Sequence, residues 1–265
     1  MNNNPIGIFD SGFGGLTVAS AINKALPYEK LIYFGDSAHL PYGSKSKETI
    51  IRFSKDIALF LMSKKIKMLV IACNTASALA LPAIKKAVDI PVMGVIEAGA
   101  KAAVCATKNN KIGVIGTQAT INSDSYRQAI NKISKAFVYQ QACPLFVPII
   151  EEGWTNTKIA SDTAQIYLKP LIDKKIDTLV LGCTHYPLLK KVLENTVGKT
   201  IKLVNPANTI ACEVIKELKE KDLLSNSKKK GNLSFYASDN PQKFQKLGSI
   251  FFYKKISAVK KAALD

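Results

Sequence analysis

Three observations predict an α/β fold built from mostly parallel sheets. Short runs rich in isoleucine, valine and leucine alternate with longer segments of helical periodicity, which is the pattern of parallel strands joined by crossover helices. The runs are apolar throughout rather than alternating with polar residues, as strands buried on both faces are. A plan of strand, polar residues, helix occurs twice, at LVIACNT (69–75) and at LVLGCTH (179–185), so the chain reads as two α/β halves.

Nine strands follow from the runs: IGIFD (6–10), LIYFGD (31–36), MLVIAC (68–73), PVMGV (91–95), KIGVIG (111–116), AFVYQQA (136–142), TLVLGC (178–183), IKLVN (201–205) and LSFYAS (233–238). Between them helical periodicity covers, among others, 47–64, 75–88, 123–134, 157–173 and 187–197. Several of these segments open on the serine, threonine or proline favoured at a helix start.

With 265 residues and 47% hydrophobic content the chain has enough apolar material for one large core or two modest ones. No apolar stretch approaches the roughly 18 residues of a membrane span, and the opening MNNNPIGIFD lacks the regions of a signal peptide, so a cytoplasmic protein is expected. The net charge of +17 raises the possibility of a polyanionic partner. Yet only Arg52 and Arg127 among the 37 basic residues are arginine, and the lysines spread over helical faces apart from SKKKG at 227–231. No recognition-helix, RNP-like or zinc-finger pattern accompanies the charge, so nucleic-acid binding is not the expected main function.

Five cysteines, Cys73, Cys105, Cys143, Cys183 and Cys212, are scattered and never arranged as C-x-x-C, which argues against a disulfide framework or structural zinc. Cys105, Cys143 and Cys212 lie in contexts that read as core packing. Cys73 and Cys183 each end a strand just ahead of an expected helix start, where main-chain N–H groups and the helix dipole favour a thiolate.

In open parallel sheets, ligands sit beyond the carboxyl ends of the strands. That rule collects Asp10 and Ser11, Asp36 and Ser37, Cys73 to Thr75, Gly116 and Thr117, and Cys183 to His185. DSGFGGLT (10–17) lacks the final glycine of a dinucleotide fingerprint, and no G-K-[ST] is present, so a nucleotide site is not supported. Its glycines fit either a plain turn before a helix or a close main-chain approach to a ligand.

A thiol can serve as nucleophile, metal ligand or proton-transfer base. Covalent catalysis makes a second thiol redundant, and with only His39 and His185 as histidines no metal cluster is expected. Two thiols acting on opposite faces of one carbon, one taking a proton and the other returning one, invert the centre without a cofactor, as a racemase or epimerase does. A free thiol with a pKa near about 8.5 is largely protonated at neutral pH, so each needs a polar helper, for which Asp10 and His185 are the candidates.

The chain resembles the glutamate racemases of the aspartate/glutamate racemase superfamily. Six ordered blocks carry the resemblance over nearly the whole length: IGIFDSGFGGLTV (6–18), YFGDSAHLPYG (33–43), ACNTASA (72–78), PVMGVIEAG (91–99), GVIGTQATI (113–121) and LGCTHYPLL (181–189). The resemblance implies cofactor-independent interconversion of L- and D-glutamate for peptidoglycan synthesis, with no metal, in a cytoplasmic homodimer. Cys73 matches the thiol acting on the D-glutamate face, with Asp10 as helper. Cys183 matches the thiol acting on the L-glutamate face, with His185 as helper. A further acidic site residue falls on Glu151, with Glu152 as its neighbour and competitor. The implied substrate contacts are Asp10, Ser11, Tyr42, Gly43, Asn74, Thr75, Thr184 and His185. His39 stands where many members carry arginine, and its own context reads as an exposed loop.

The resemblance also implies two α/β domains, 1–96 with 210–265 and 97–209, with the active site in the cleft between them. The nearest rival activity is aspartate racemisation, because two thiols define the inversion but not the side-chain length. A rival of another class is a basic nucleic-acid-associated protein on the same fold.

Overall fold

The computed structural model describes residues 2–262 and 264. The chain forms two compact units, one of the residues up to Val95 together with those from Ala207 onward, the other of Ile96–Pro206.

The first unit begins with β1 (Ile6–Asp10), α1 (Leu16–Ala25), β2 (Leu31–Gly35), α2 (Lys47–Ser63), β3 (Met68–Ile71), α3 (Asn74–Leu79), α4 (Leu81–Lys85) and β4 (Val92–Gly94). The second follows with α5 (Val95–Ala106), β5 (Lys111–Gly116), α6 (Gln118–Asn122), α7 (Ser125–Asn131), β6 (Phe137–Ala142), α8 (Phe146–Glu151), α9 (Lys158–Ile172), β7 (Thr178–Gly182), α10 (Lys190–Val197) and β8 (Lys202–Val204). The chain returns to the first unit with α11 (Pro206–Glu220), β9 (Leu233–Ala237), α12 (Pro241–Phe251) and β10 (Lys260–Lys261).

Each unit holds one sheet in which all pairings are parallel, ordered β10-β9-β2-β1-β3-β4 in the first and β6-β5-β7-β8 in the second. The central strands β1, β3 and β7 are buried at every residue, as their unbroken apolar sequences require. In the first unit, one cluster packs Phe9, Phe34, Leu69 and Ile71 of the sheet against Ile50, Ile57 and Leu61 of α2. Side-chain caps start several helices: Ser46 accepts from Thr49 N before α2, Thr157 from Ala160 N before α9, and Asn240 from Lys243 N ahead of Pro241 in α12.

Three expected helices differ in the structure. The segment 75–88 divides at Ala80 into α3 and α4, because Pro82 lacks an N–H and cannot continue the ladder of the preceding turn. The segment 123–134 starts late, after Asp124 takes a left-handed conformation at φ 55°. The segment 187–197 opens as a tight 3-10 turn over Tyr186–Leu189 and becomes α-helical at Lys190. The short strand β10 carries no apolar signal, since both its lysines are exposed, and lysines suit a sheet edge, where they discourage pairing with another chain.

A buried ion pair ties the first unit together. Lys67 Nζ lies 2.6 Å from Glu29 Oε2 and donates to the carbonyls of Asn2 and Leu223, both at 2.6 Å. Ser225 N donates to the other carboxylate oxygen of Glu29 at 2.7 Å.

Candidate active site

In the first unit the chain runs from β1 to β2 on one side, then crosses to β3 on the other. The carboxyl ends of β1 and β3 thus flank a topological switch point, where open α/β sheets leave a crevice. Asp10 closes β1, and Cys73 follows β3 by two residues. The Cys73 thiol donates to Ser11 Oγ at 3.7 Å, and its sulfur accepts from Ala76 N at 3.4 Å, which makes the cysteine the cap of α3. Asp10, Ser11, Asn74 and Thr75 are all buried around it.

Gly15 makes this arrangement possible: a Cβ there would lie 2.5 Å from the Cβ of Asp10 and 2.9 Å from that of Ala72. Asp10 Oδ2 in turn accepts from Gly12 N at 3.0 Å, so the glycines of DSGFGG shape the turn around the carboxylate.

The expectation that a helix start favours a Cys73 thiolate is corrected by the structure. Burial, with the Asp10 carboxylate adding to it, pushes the thiol up to about 12 despite the bonds from Ala76 and Ser11. Cys73 is 5% exposed, and α3 is too short to offset the lost hydration.

The second unit repeats the β2-β1-β3-β4 part of that order as β6-β5-β7-β8, with β5 and β7 flanking the switch point and Cys183 directly after β7. No α-helix starts there, so the dipole argument does not apply to Cys183. The neighbouring group is His185, whose Nδ1 lies 3.9 Å from Cys183 Sγ and whose Nε2 lies 3.0 Å from Glu151 Oε1. Burial by itself lowers the pKa of this imidazole, but its hydrogen bonds and charge interactions with Cys183 and Glu151 raise it to about 10. Glu151, at the end of α8, faces the ring, whereas Glu152 caps the helix and is exposed. Thr184 is buried between Cys183 and His185 in the chain. Tyr186 OH fixes the turn by donating to the carbonyl of Cys143 at 2.9 Å.

Tyr42 is 1% exposed and donates to Asp36 Oδ2 at 2.6 Å, so its phenol is already engaged within the protein. His39 is not a free loop side chain: its ring stacks on Phe53 at a centroid distance of 4.0 Å, and its Nδ1 lies 2.9 Å from the Asp36 carboxylate. Asp36 is the organising residue that motif reading passed over, although its place at the carboxyl end of β2 marked it.

Two further corrections concern the thiols assigned to packing. Cys143 is buried, but Cys105 and Cys212 are exposed. In α5 the face carrying Ala98, Ala100 and Ala103 is buried, and in α11 the face carrying Ile210, Ala211 and Val214. The two cysteines fall off those faces. Among the described residues, no group of three or more histidine, cysteine or acidic side chains could hold a metal ion, and no helix is long and apolar enough to cross a membrane.

Each switch point therefore presents a single thiol with a titratable neighbour, an arrangement suited to taking and returning protons. Comparison with known proteins points the same way. Residues 6–213 match the model of the Asp/Glu/Hydantoin racemase family. A glutamate racemase of Geobacter metallireducens is 50% identical over 261 residues, covering 98% of this chain and 97% of that protein. The crystal structure of a glutamate racemase from Francisella tularensis in complex with D-glutamate superposes with a TM-score of 0.94 at 40% identity, over 100% of this chain and 99% of the other. Glutamate racemase isoform RacE1 of Bacillus anthracis gives a TM-score of 0.96 at 37% identity, over 100% and 99% of the two chains.

Proposed function

The chain belongs to the Asp/Glu/Hydantoin racemase family, and we propose that, as a glutamate racemase, it interconverts L- and D-glutamate by proton transfer between two cysteines without a cofactor. The observation that carries this reading is the equivalence of Cys73 and Cys183. Each follows the third strand, in chain order, of a four-strand segment arranged alike in both sheets, β2-β1-β3-β4 and β6-β5-β7-β8, beside its own switch point.

Inversion requires the two sulfurs to meet one α-carbon from opposite faces. For L-glutamate, Cys183 removes the α-proton and Cys73, held as a thiol by burial and by Asp10, returns one to the other face. For D-glutamate the roles reverse: Asp10 assists proton removal by Cys73, and His185 keeps Cys183 supplied with a proton. Glu151 orients His185 and stabilises its charged form. A positioned acid or base of this kind contributes about 10²- to 10⁴-fold to a rate.

Binding is assigned to Asp10, Ser11, Tyr42, Gly43, Asn74, Thr75, Thr184 and His185. Because the Tyr42 phenol is engaged by Asp36, the Tyr42–Gly43 segment acts through its main-chain N–H groups, which suit a carboxylate. The Asp10 carboxylate suits the ammonium.

The same reading places the enzyme in the cytoplasm, supplying D-glutamate for peptidoglycan. The five cysteines are all free, as a reducing compartment and two working thiols demand. It also includes a homodimer, for which the exposed apolar side chains Leu145, Trp154, Ile159 and Ile166 supply area to cover.

The test is deuterium incorporation at the α-carbon in D₂O for Cys73→Ser and Cys183→Ser, with circular dichroism as the control for folding. Both variants should lose racemisation by at least about 10²-fold while keeping the native spectrum. Wild-type rates in either one would defeat the two-base assignment. Aspartate turnover exceeding that of glutamate would move the assignment to the rival substrate.

A further inference from the structure

Besides Asp10 and the Glu29 paired with Lys67, the first unit buries a further carboxylate, Asp36, that the proton-transfer scheme does not use. It accepts from Tyr42 OH at 2.6 Å and from Ser238 Oγ at 2.7 Å, with His39 Nδ1 2.9 Å away. Ser238 reaches it from 202 positions further along the chain. Strand β9 pairs with β2 in a register that sets Ala237 beside Gly35, and Ser238 N donates to the Gly35 carbonyl at 3.2 Å. The next side chain is thereby delivered to Asp36.

The Ser238 hydroxyl is used twice. It donates its proton to Asp36 and accepts from Ala38 N at 2.9 Å. The neighbouring Asp239 N donates to Ser37 Oγ at 3.0 Å. The segment between Asp36 and Tyr42 has no helix or strand of its own, so its course depends on these anchors. Asp36 closes the segment at its far end through Tyr42, and Ser238 holds both Asp36 and the main chain at Ala38.

We propose that Ser238 is a positioning residue for substrate binding: through Asp36 and Ala38 it sets the main chain at Tyr42 and Gly43 that receives a glutamate carboxylate. This rests on the racemase reading above. Ser238 touches neither substrate nor the reacting carbon. Displaced donors remote from the α-proton weaken substrate and transition state alike, which raises KM and leaves kcat in place.

Steady-state kinetics of Ser238→Ala with L- and D-glutamate tests this. KM should rise about five- to tenfold in both directions, the scale of one lost hydrogen bond of ordinary net strength, with kcat within about twofold of wild type. Ser238→Thr, which keeps the hydroxyl, should restore KM. Tyr42→Phe removes the other donor to Asp36, and combined with Ser238→Ala it should raise KM by less than the product of the single effects. If Ser238→Ala does not fold, Ser238→Cys, with its weaker donor, should still show the raised KM at unchanged kcat. An unchanged KM in the folded variant, or a KM increase that threonine leaves in place, overturns the proposal while the wild-type enzyme still racemises glutamate. A wild-type protein inactive on glutamate overturns the racemase reading and this proposal together.

Discussion

His185 is held between Glu151 and Cys183, with Nε2 3.0 Å from the Glu151 carboxylate and Nδ1 3.9 Å from the Cys183 sulfur. The ring is 3% exposed, a setting in which an imidazole without partners stays neutral. Here the partners win over burial, and the pKa rises to about 10.

A pH dependence of stability follows. A group whose pKa is raised by folding stabilises the folded state fully below its unfolded value, about 6.5 for histidine, and that contribution is lost as pH climbs through the folded value. Stability contributed by His185 is therefore complete below pH 6.5 and declines towards about 10. Glu151→Gln removes one of the raising charges, so the decline, still starting near the unfolded value of about 6.5, should be smaller and should end at lower pH. Urea midpoints of wild type and variant between about pH 6 and 10 measure the difference, and parallel curves would refute the role of Glu151.

Cys73 should behave as an unreactive thiol at neutral pH, because burial and Asp10 hold its pKa near 12. Asp10→Asn takes away the negative charge and should lower that pKa. Alkylation of Cys73 by iodoacetamide, followed by peptide mass spectrometry, should be faster in the variant at pH 8 while racemisation becomes slower. Reactivity and catalysis falling together would mean that Asp10 only shapes the turn.

The buried Lys67–Glu29 pair should be costly to break from one side. Lys67→Met leaves a carboxylate without its cation and should destabilise the protein by about 3–5 kcal/mol, as one-sided removal of a buried pair does. The double variant Lys67→Met with Glu29→Leu should recover part of that loss in urea unfolding, and a double variant at the sum of the single losses would refute the coupling.

Motif reading reached the two thiols because both stand at the ends of apolar runs, where the chain's polarity changes abruptly. It reached His185 because the residue lies two positions beyond Cys183. The protonation of Cys73 was not legible: a strand-end cysteine before a helix implies a lowered pKa, and only the packing around the sulfur reverses the sign. Nor was Ser238 legible as an anchor of the segment between Asp36 and Tyr42. No local pattern distinguishes that serine from others in the chain, and its partnership with Asp36 exists only through the pairing of β9 with β2.

Local sequence was enough for the α/β class, nine of the strands and the thiol motifs, because hydrophobic periodicity and turn chemistry act over a few neighbouring residues. Tertiary structure alone decided the long-range matters: the common strand order that makes Cys73 and Cys183 equivalent, the Glu151–His185 contact across 34 positions, and the closure of the Asp36 loop from 202 positions away. Those depend on which strands become neighbours and how much water is excluded, and both are properties of the packed chain rather than of any segment in it.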